Sequence, residues 1–174
     1  MALATIAGAF LVGSASVASA NAGWQNQNGT YTYYEDNGKV QKGRSYRQLP
    51  KADPGTNWYL TQDGKMLTGV QKWQGAYWFF NQDGTLHTKR DYVQSQWGDW
   101  YMVGDNGQVL SGVQQWMGSY YYFDPTTYLK ANKQEYVKSQ WGDWYMVGKD
   151  GRLMSGLVNW QGSKYYFDPS TYLK

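Results

Sequence analysis

The chain has 174 residues, a formal net charge of +3 and no cysteine, and it contains 10 Trp, 17 Tyr and 5 Phe. Its lysines and arginines are scattered singly, which argues against nucleic acid as a partner because that binding needs a concentrated basic patch. The lack of cysteine excludes a disulfide scaffold. A chain poor in Leu, Ile and Val must also pack largely with aromatic rings.

The N-terminal segment has the features of a secretory signal peptide. Residues 1–20 carry no charge and contain an apolar run over residues 3–12, followed by small residues up to Ala18-Ser19-Ala20. This order is typical of the apolar region and cleavage site of such a peptide, and the run is shorter than the roughly 20 residues that span a bilayer. We therefore predict a helical signal peptide over residues 1–20, no transmembrane segment in the mature chain, and one repeat domain over residues 21–174.

The mature part consists of internal repeats. Residues 92–130 recur almost unchanged as residues 136–174, and looser copies occupy residues 24–34 and 58–80. Aromatic, strand-like runs alternate with Asp-Gly or Asn-Gly turns, the strongest short-range signal for a β-hairpin. These turns are Asp36-Asn37-Gly38, Asp63-Gly64, Asp83-Gly84, Asp105-Asn106-Gly107 and Asp150-Gly151, and Asp124-Pro125 and Asp168-Pro169 mark turns of another type. We predict seven hairpins, which open near Tyr31, Trp58, Tyr77, Trp100, Tyr120, Trp144 and Tyr165.

The repeats also predict the architecture. One hairpin alone is at best marginally stable, so we predict an all-β solenoid of about seven stacked β-hairpin repeats. One column of the repeat is aromatic in every copy and is assigned to the core: Tyr34, Phe80, Phe123 and Phe167. Another column accepts a lysine and is assigned to the surface: Tyr31, Tyr77, Tyr120 and Lys164.

Nine of the ten tryptophans fall into three recurring columns. They precede an aromatic strand (Trp24, Trp73, Trp116, Trp160), open alternate hairpins (Trp58, Trp100, Trp144), or belong to the Ser-Gln-Trp-Gly-Asp-Trp segment (Trp97, Trp141). Exposed rings at fixed intervals suit stacking on sugar rings or enclosing a quaternary ammonium group. Nearby glutamines, such as Gln96, Gln115 and Gln140, are then expected to hydrogen-bond sugar hydroxyls.

Catalysis finds little support in the sequence. Most acidic residues lie in the repeated turns, whereas a glycosidase needs two carboxylates across the scissile bond. His87 is the single histidine, which disfavours a Ser-His-Asp or zinc site. The Asp-Asn-Gly turns lack the EF-hand spacing for calcium. We expect no enzymatic activity, no metal and no cofactor.

Two stretches carry a family resemblance. Residues 23–43 and 58–88 resemble the cell-wall-binding and glucan-binding repeats of choline-binding proteins, glucansucrases, glucan-binding proteins and some wall lytic enzymes. Trp24 follows its linking glycine directly, as in choline-binding repeats. In the later links the tryptophan is delayed to Trp73, Trp116 and Trp160, which is more similar to the glucan-binding repeats of lactobacilli.

The resemblance implies a secreted, cell-wall-associated module that binds α-glucan or a related surface polysaccharide at several aromatic grooves between hairpins. The expected ligand-binding residues are Trp73, Tyr77, Trp97, Trp100, Gln115, Trp116, Tyr120, Trp141, Trp144 and Trp160. Two alternatives stay open. One is a wall anchor that binds choline, teichoic acid or peptidoglycan, and the other is a structural or protein-adhesive spacer whose aromatic rings are all buried.

Overall fold

The computed structural model describes residues 22–50 and 56–174, without the side chain of Thr56. These residues contain fifteen β-strands and no helix, which confirms the all-β prediction for this part of the chain. The predicted signal peptide lies outside the described residues. The strands are β1 (Gly23–Gln27), β2 (Thr30–Tyr34), β3 (Arg44–Pro50), β4 (Thr56–Gln62), β5 (Lys65–Met66), β6 (Gly69–Trp73), β7 (Ala76–Phe80), β8 (Asp91–Gln94), β9 (Trp100–Val103), β10 (Gly112–Trp116), β11 (Ser119–Phe123), β12 (Glu135–Lys138), β13 (Trp144–Val147), β14 (Gly156–Trp160) and β15 (Ser163–Phe167).

Seven antiparallel hairpins pair four or more residues in each strand, which is the predicted number: β1–β2, β3–β4, β6–β7, β8–β9, β10–β11, β12–β13 and β14–β15. In the β6–β7 hairpin the two turn residues, Gln74 and Gly75, have φ angles of 47° and 82°. Met117 and Gly118 of the β10–β11 hairpin have φ angles of 48° and 78°. Two successive positive φ angles define a type I′ turn, whose twist matches that of the strands it joins.

The predicted Asp-Gly turns are present, but they close shorter pairings than expected. Asp63-Gly64 joins β4 to β5, and later turns of this type close single bridges, such as Phe80 with Leu86 and Val103 with Val109. The runs predicted to open the hairpins, at Tyr77 and Tyr120 for example, are therefore second strands. The prediction of the closing turns was wrong here because Gln-Gly and Met-Gly lack the Asn or Asp that marks such a turn.

Several successive hairpins are tied to the unit that follows them by a recurring bridge. Trp78 in β7 pairs with Gln108 beyond β9, and Tyr101 in β9 pairs with Leu129 beyond β11. Tyr121 in β11 pairs in the same way with Arg152 beyond β13. The second strand of one hairpin thus contacts the segment that follows the next hairpin.

The buried side chains form several small clusters, one after another along the repeats. Phe80, Phe123 and Phe167 are each at most 2 % exposed, which confirms the predicted core column for these three rings. Phe167 packs with Met146 and Val158 in one such cluster. Clusters of this size leave many aromatic rings at their edges, where the rings are partly open to solvent.

Candidate functional site

Two grooves of one kind recur in successive repeats, and we call them the threonine grooves. The first has a volume of about 140 Å³ and its main lining residues are Tyr77, Trp97, Tyr101, Thr127 and Tyr128. The second has a volume of about 190 Å³ and is lined by the equivalent residues Tyr120, Trp141, Tyr145, Thr171 and Tyr172. In the first groove Tyr77 lies in β7, Trp97 in the loop between β8 and β9, Tyr101 in β9, and Thr127 and Tyr128 in the segment after β11. The second groove repeats this arrangement one unit later along the chain.

An exposed indole ring forms one wall of each threonine groove. Trp97 is 61 % exposed and Trp141 is 62 % exposed. Beside Trp97, the rings of Tyr77 and Tyr128 meet edge to face with centroids 5.2 Å apart, and Tyr101 lies buried beneath them. The groove therefore combines an exposed indole with two tyrosine rings that pack against a third, buried tyrosine.

Burial raises the pKa of the Tyr101 and Tyr145 hydroxyls, which are protonated at neutral pH even at the ordinary tyrosine value. Desolvation is the main cause that raises the pKa of Tyr101, and the neighbouring Asp99 and Tyr77 raise it further. The pKa of Tyr145 is raised in the same way, by burial first and then by Asp143 and Tyr120. Both phenols remain available at neutral pH to donate or accept a hydrogen bond.

The loop that carries the exposed tryptophan is held by a glutamine. The backbone N–H of Val70 donates to Gln96 Oε1 at 2.8 Å, and Gln96 Nε2 donates to the Val70 carbonyl at 2.9 Å. Gln140 makes the same pair of bonds to Val113, again at 2.8 and 2.9 Å. The amides of Gln96 and Gln140 thus complete a backbone pairing, and the expectation that they also hydrogen-bond sugar hydroxyls stays a prediction.

The threonines belong to a turn that an aspartate caps. The backbone N–H groups of Thr126 and Thr127 donate to Asp124 Oδ1 at 2.8 and 2.7 Å. Asp168 accepts the equivalent bonds from Ser170 and Thr171, both at 2.8 Å. These bonds lower the pKa of both carboxyls, with the Thr127 and Thr171 amides as the largest causes.

Replacing Asp124 with alanine should loosen this turn and leave its copy unchanged. We expect the amide protection factors of Thr126 and Thr127 to fall by roughly tenfold, since their shared acceptor is lost. Asp124→Asn keeps an acceptor oxygen and should retain most of the protection. Hydrogen exchange followed by NMR measures this, with Ser170 and Thr171 as internal controls. Unchanged protection in the alanine variant would refute the role of the cap.

The pH dependence of this turn follows from the lowered pKa of Asp124. A carboxyl whose folded pKa is depressed contributes stability that is fully present above its unfolded pKa of 3.8 and is lost as the pH falls through the folded value. The protection factors of Thr126 and Thr127 should therefore stay constant from neutral pH down to about pH 4 and decline only below it. A decline that begins near pH 6 would contradict this assignment.

A second kind of groove also recurs, and we call these the lysine grooves. The first has a volume of about 160 Å³ and is lined by Tyr92, Trp116, Met117, Tyr121, Phe123 and Lys130. The second, about 20 Å³, is lined by Tyr136, Met146, Trp160, Tyr165, Phe167 and Lys174. The Lys130 ammonium lies 5.7 Å from the Tyr92 ring centroid and 5.5 Å from that of Tyr121. Each lysine groove thus combines aromatic walls with a lysine side chain of the protein itself.

The structure separates the ten predicted ligand-binding residues instead of gathering them. Those in the threonine grooves are Tyr77, Trp97, Tyr120 and Trp141. Those in the lysine grooves are Trp116 and Trp160. Trp73 is half-buried at the end of β6, where it holds the place that Trp116 holds in β10.

The remaining three lie beside the grooves. Trp100 and Trp144 are exposed and pack on Tyr92 and Tyr136, with ring centroids 5.3 Å apart in both pairs. Gln115 is exposed and lies directly opposite Tyr120 in the β10–β11 register, so it borders the second threonine groove. In the preceding copy Lys72 lies opposite Tyr77 in the same way.

Several lining residues were missed by the sequence analysis, namely Tyr101, Thr127, Tyr128, Lys130 and their copies Tyr145, Thr171, Tyr172 and Lys174. Most of them belong to the segments Asp-Pro-Thr-Thr-Tyr-Leu-Lys and Asp-Pro-Ser-Thr-Tyr-Leu-Lys. These segments were interpreted only as turns. Their near-identical recurrence was the signal that could have identified them.

Other kinds of site find no support in residues 22–50 and 56–174. This part of the chain holds no group of three or more His, Cys, Asp or Glu side chains that could bind a metal ion. It also holds no helix long and apolar enough to span a membrane.

Comparison with known proteins gives a match in structure. No protein-family model and no curated protein sequence matches the chain. Choline binding protein F from Streptococcus pneumoniae, solved in the presence of a peptidoglycan analogue (a tetrasaccharide-pentapeptide), is similar with a TM-score of 0.54 and 25 % identity over 88 % of this chain and 52 % of that chain. A second crystal form of the same protein gives a TM-score of 0.53 and 25 % identity over 88 % of this chain and 51 % of that one.

A more distant match agrees on the fold. The modular Cpl-1 endolysin, complexed with a peptidoglycan analogue, has a TM-score of 0.50 and 18 % identity over 86 % of this chain and 40 % of that chain. The present chain spans about half the length of the choline binding protein F structures, 52 % and 51 %. These matches confirm the resemblance found in the sequence: the chain is built from choline-binding-like β-hairpin repeats.

Proposed function

We propose that this chain is a secreted, non-catalytic carbohydrate-binding module, associated with the cell wall, that holds an α-glucan in its threonine grooves. The observation that carries the proposal is a repeated arrangement. In two successive copies an exposed indole ring, two partly exposed tyrosine rings, a threonine and a buried tyrosine line one groove. A pyranose ring has a flat face of C–H groups that packs on aromatic rings and a rim of hydroxyls that needs hydrogen-bonding partners.

The lining of the threonine grooves favours an uncharged ligand. None of the residues that line either groove carries a formal charge, although the Lys72 ammonium lies 5.7 Å from the ring centroid of Tyr77 in the first groove. An α-glucan is neutral, whereas the phosphate groups of a teichoic acid would lose solvation in these grooves without gaining a counter-charge. Gln115 at the border of the second groove adds a neutral donor and acceptor.

The size of the grooves implies weak binding at each one. Their volumes of about 140 and 190 Å³ are below the roughly 300–1,000 Å³ of pockets that enclose a drug-sized ligand. Each groove therefore suits a short stretch of an extended polymer. We also propose that the hairpins stack as a solenoid, which the recurring bridges between units support. Grooves spaced along one polymer can raise avidity by on the order of 10² to 10⁴.

Affinity electrophoresis tests the proposal directly. We expect native gels that contain dextran or another α-glucan to retard the protein, relative to gels with a neutral polymer that lacks glucose. Because no ion pair contributes, the retardation should persist at about 1 M salt, where charge interactions are strongly screened. Unretarded migration in every α-glucan gel would refute α-glucan binding.

A second candidate function is cell-wall anchoring through choline, teichoic acid or peptidoglycan. It is favoured by the similarity to choline binding protein F, which was solved with a peptidoglycan analogue. Purified walls discriminate the two candidates: an anchor of this kind should bind walls and be eluted by choline. Retention on walls that added choline does not reverse would favour glucan binding.

The spacer alternative has less support. It requires that the aromatic rings be buried throughout, yet Trp97 and Trp141 are both more exposed than buried. Aqueous quenching of tryptophan fluorescence, with and without added sugar, measures the same property in solution.

A further inference from the structure

The lysine grooves resemble aromatic boxes that already contain a cation. In the first of them the Lys130 ammonium lies 5.7 Å from the Tyr92 centroid and 5.5 Å from the Tyr121 centroid, within the range of a cation–π contact. In the second, the Lys174 ammonium lies 4.5 Å from the Tyr165 centroid. The walls around them are completed by Trp116 in one copy and Trp160 in the other.

A box of this kind attracts quaternary ammonium groups for the same reason that it attracts lysine, because the negative faces of the rings favour a cation. We propose that Lys130 and Lys174 determine specificity by occupying their own grooves, so that these two grooves reject choline and other quaternary ammonium ligands. The resident ammonium lies against the ring faces that such a ligand needs. It also repels a second positive charge at short range.

The charges around the first lysine groove agree with this proposal. Among the described residues, no carboxylate forms an ion pair with Lys130, so its charge is held by the rings and solvent. The Arg152 guanidinium lies 5.5 Å from the same Tyr121 centroid, and its Nε donates to the Tyr121 hydroxyl at 3.0 Å. Asp150 lies 3.8 Å from Arg152 and offsets that second charge in part.

The preceding repeat shows that a neutral side chain fits the position of Lys130. There Phe80 bridges to Leu86, as Phe123 bridges to Lys130. A Cβ on Gly107 would meet the Leu86 side chain, as one on Gly151 would meet the Lys130 side chain. Leu86 and Lys130 therefore hold equivalent places in successive copies, and Lys130→Leu installs a residue that the fold already accepts.

Titration with choline chloride tests the proposal, with the indole resonances of Trp116 and Trp160 followed by NMR and sodium chloride as the ionic-strength control. We expect no saturable shift in the wild type. In Lys130→Leu the Trp116 resonance should respond saturably, with an affinity at least about tenfold above the wild-type limit, which corresponds to about 1.4 kcal/mol. Lys130→Gln, which removes the charge and keeps a long side chain, should change in the same direction. Lys174→Leu should do the same for Trp160.

Lys133→Leu is the matched control. Lys133 pairs with Glu135 outside the groove, so its loss changes the net charge equally and should leave the Trp116 response as in the wild type. Equal choline affinity in wild type and Lys130→Leu would overturn the proposal. So would the absence of a choline response in both Lys130 variants, because the box would then not accept a quaternary ammonium at all.

This proposal concerns the lysine grooves and stands apart from α-glucan binding in the threonine grooves. Lys130→Leu should show the same dextran retardation as the wild type. A variant that gains choline binding while neither protein is retarded by any α-glucan would refute the proposed function and leave this inference intact.

Discussion

Replacing Trp97 and Trp141 together with alanine should abolish the retardation of the protein in an α-glucan gel. Each indole is an exposed wall of a threonine groove and takes no part in the buried clusters. Loss of one stacking ring should weaken its groove by about 1–2 kcal/mol. Loss of both should remove the avidity of roughly 10² to 10⁴ that two linked sites provide.

The single variants refine this result. Trp97→Ala and Trp141→Ala each leave one intact groove, so each should migrate between the wild type and the double variant. Trp58→Ala is the control, because Trp58 is also exposed but stacks on Tyr46 at 4.9 Å, away from both threonine grooves. It should migrate like the wild type.

Thermal unfolding separates a binding effect from a folding effect in these variants. Because Trp97 and Trp141 are more exposed than buried, their truncation should shift the midpoint by no more than a few degrees. Full retardation of the double variant in every α-glucan gel would show that these indoles do not carry glucan binding.

The fold was largely predictable because its determinants are local and repeated. The strand-like runs can be recognised within one copy, and the recurrence of residues 92–130 and the Phe80, Phe123 and Phe167 column appear when the copies are compared. The choice of closing turn was not predictable in the same way. Gln74 and Met117 adopt positive φ angles of 47° and 48° although neither residue type favours them.

The candidate site was predictable only in part, because each groove joins residues from three successive units. Trp97 and Trp141 were identified as ligand-binding residues, but the sequence does not show that Tyr128 and Tyr172 face them. Lys130 looked like one of many scattered charges. Its place above two tyrosine rings also depends on Tyr92 of the preceding hairpin, which the repeated Asp-Pro-Thr-Thr-Tyr-Leu-Lys segment does not specify.

Gly112→Ala should destabilise the protein more than the same change at Gly156, its equivalent in the next copy. The two glycines have nearly equal φ angles of 74° and 73°, so both alanine variants bear a similar backbone strain of about 1–3 kcal/mol. Only at Gly112 would the new Cβ clash with a neighbour. It would meet the Oε1 atom of Gln140 and lie 2.9 Å from Cδ, whereas at Gly156 nothing lies within 4 Å.

The clash acts on Gln140, which holds the Trp141 loop against Val113. Moving Gln140 aside breaks its two hydrogen bonds to Val113, each of which contributes about 0.5–1.5 kcal/mol net. We therefore expect the free energy of unfolding in urea to fall by about 1–3 kcal/mol more in Gly112→Ala than in Gly156→Ala. The displaced loop should also weaken glucan binding at the second threonine groove alone.

A double-mutant cycle isolates the steric part of this effect. In a Gln140→Ala background the obstructing amide is gone, so the additional loss caused by Gly112→Ala should shrink to the value measured for Gly156→Ala. The coupling free energy between Gly112→Ala and Gln140→Ala should therefore be close to the net stability that the two Gln140–Val113 hydrogen bonds contribute. If the two glycine variants unfold with equal free energies, Gln140 does not hold the loop against Val113, and the exposed position of Trp141 must have another cause.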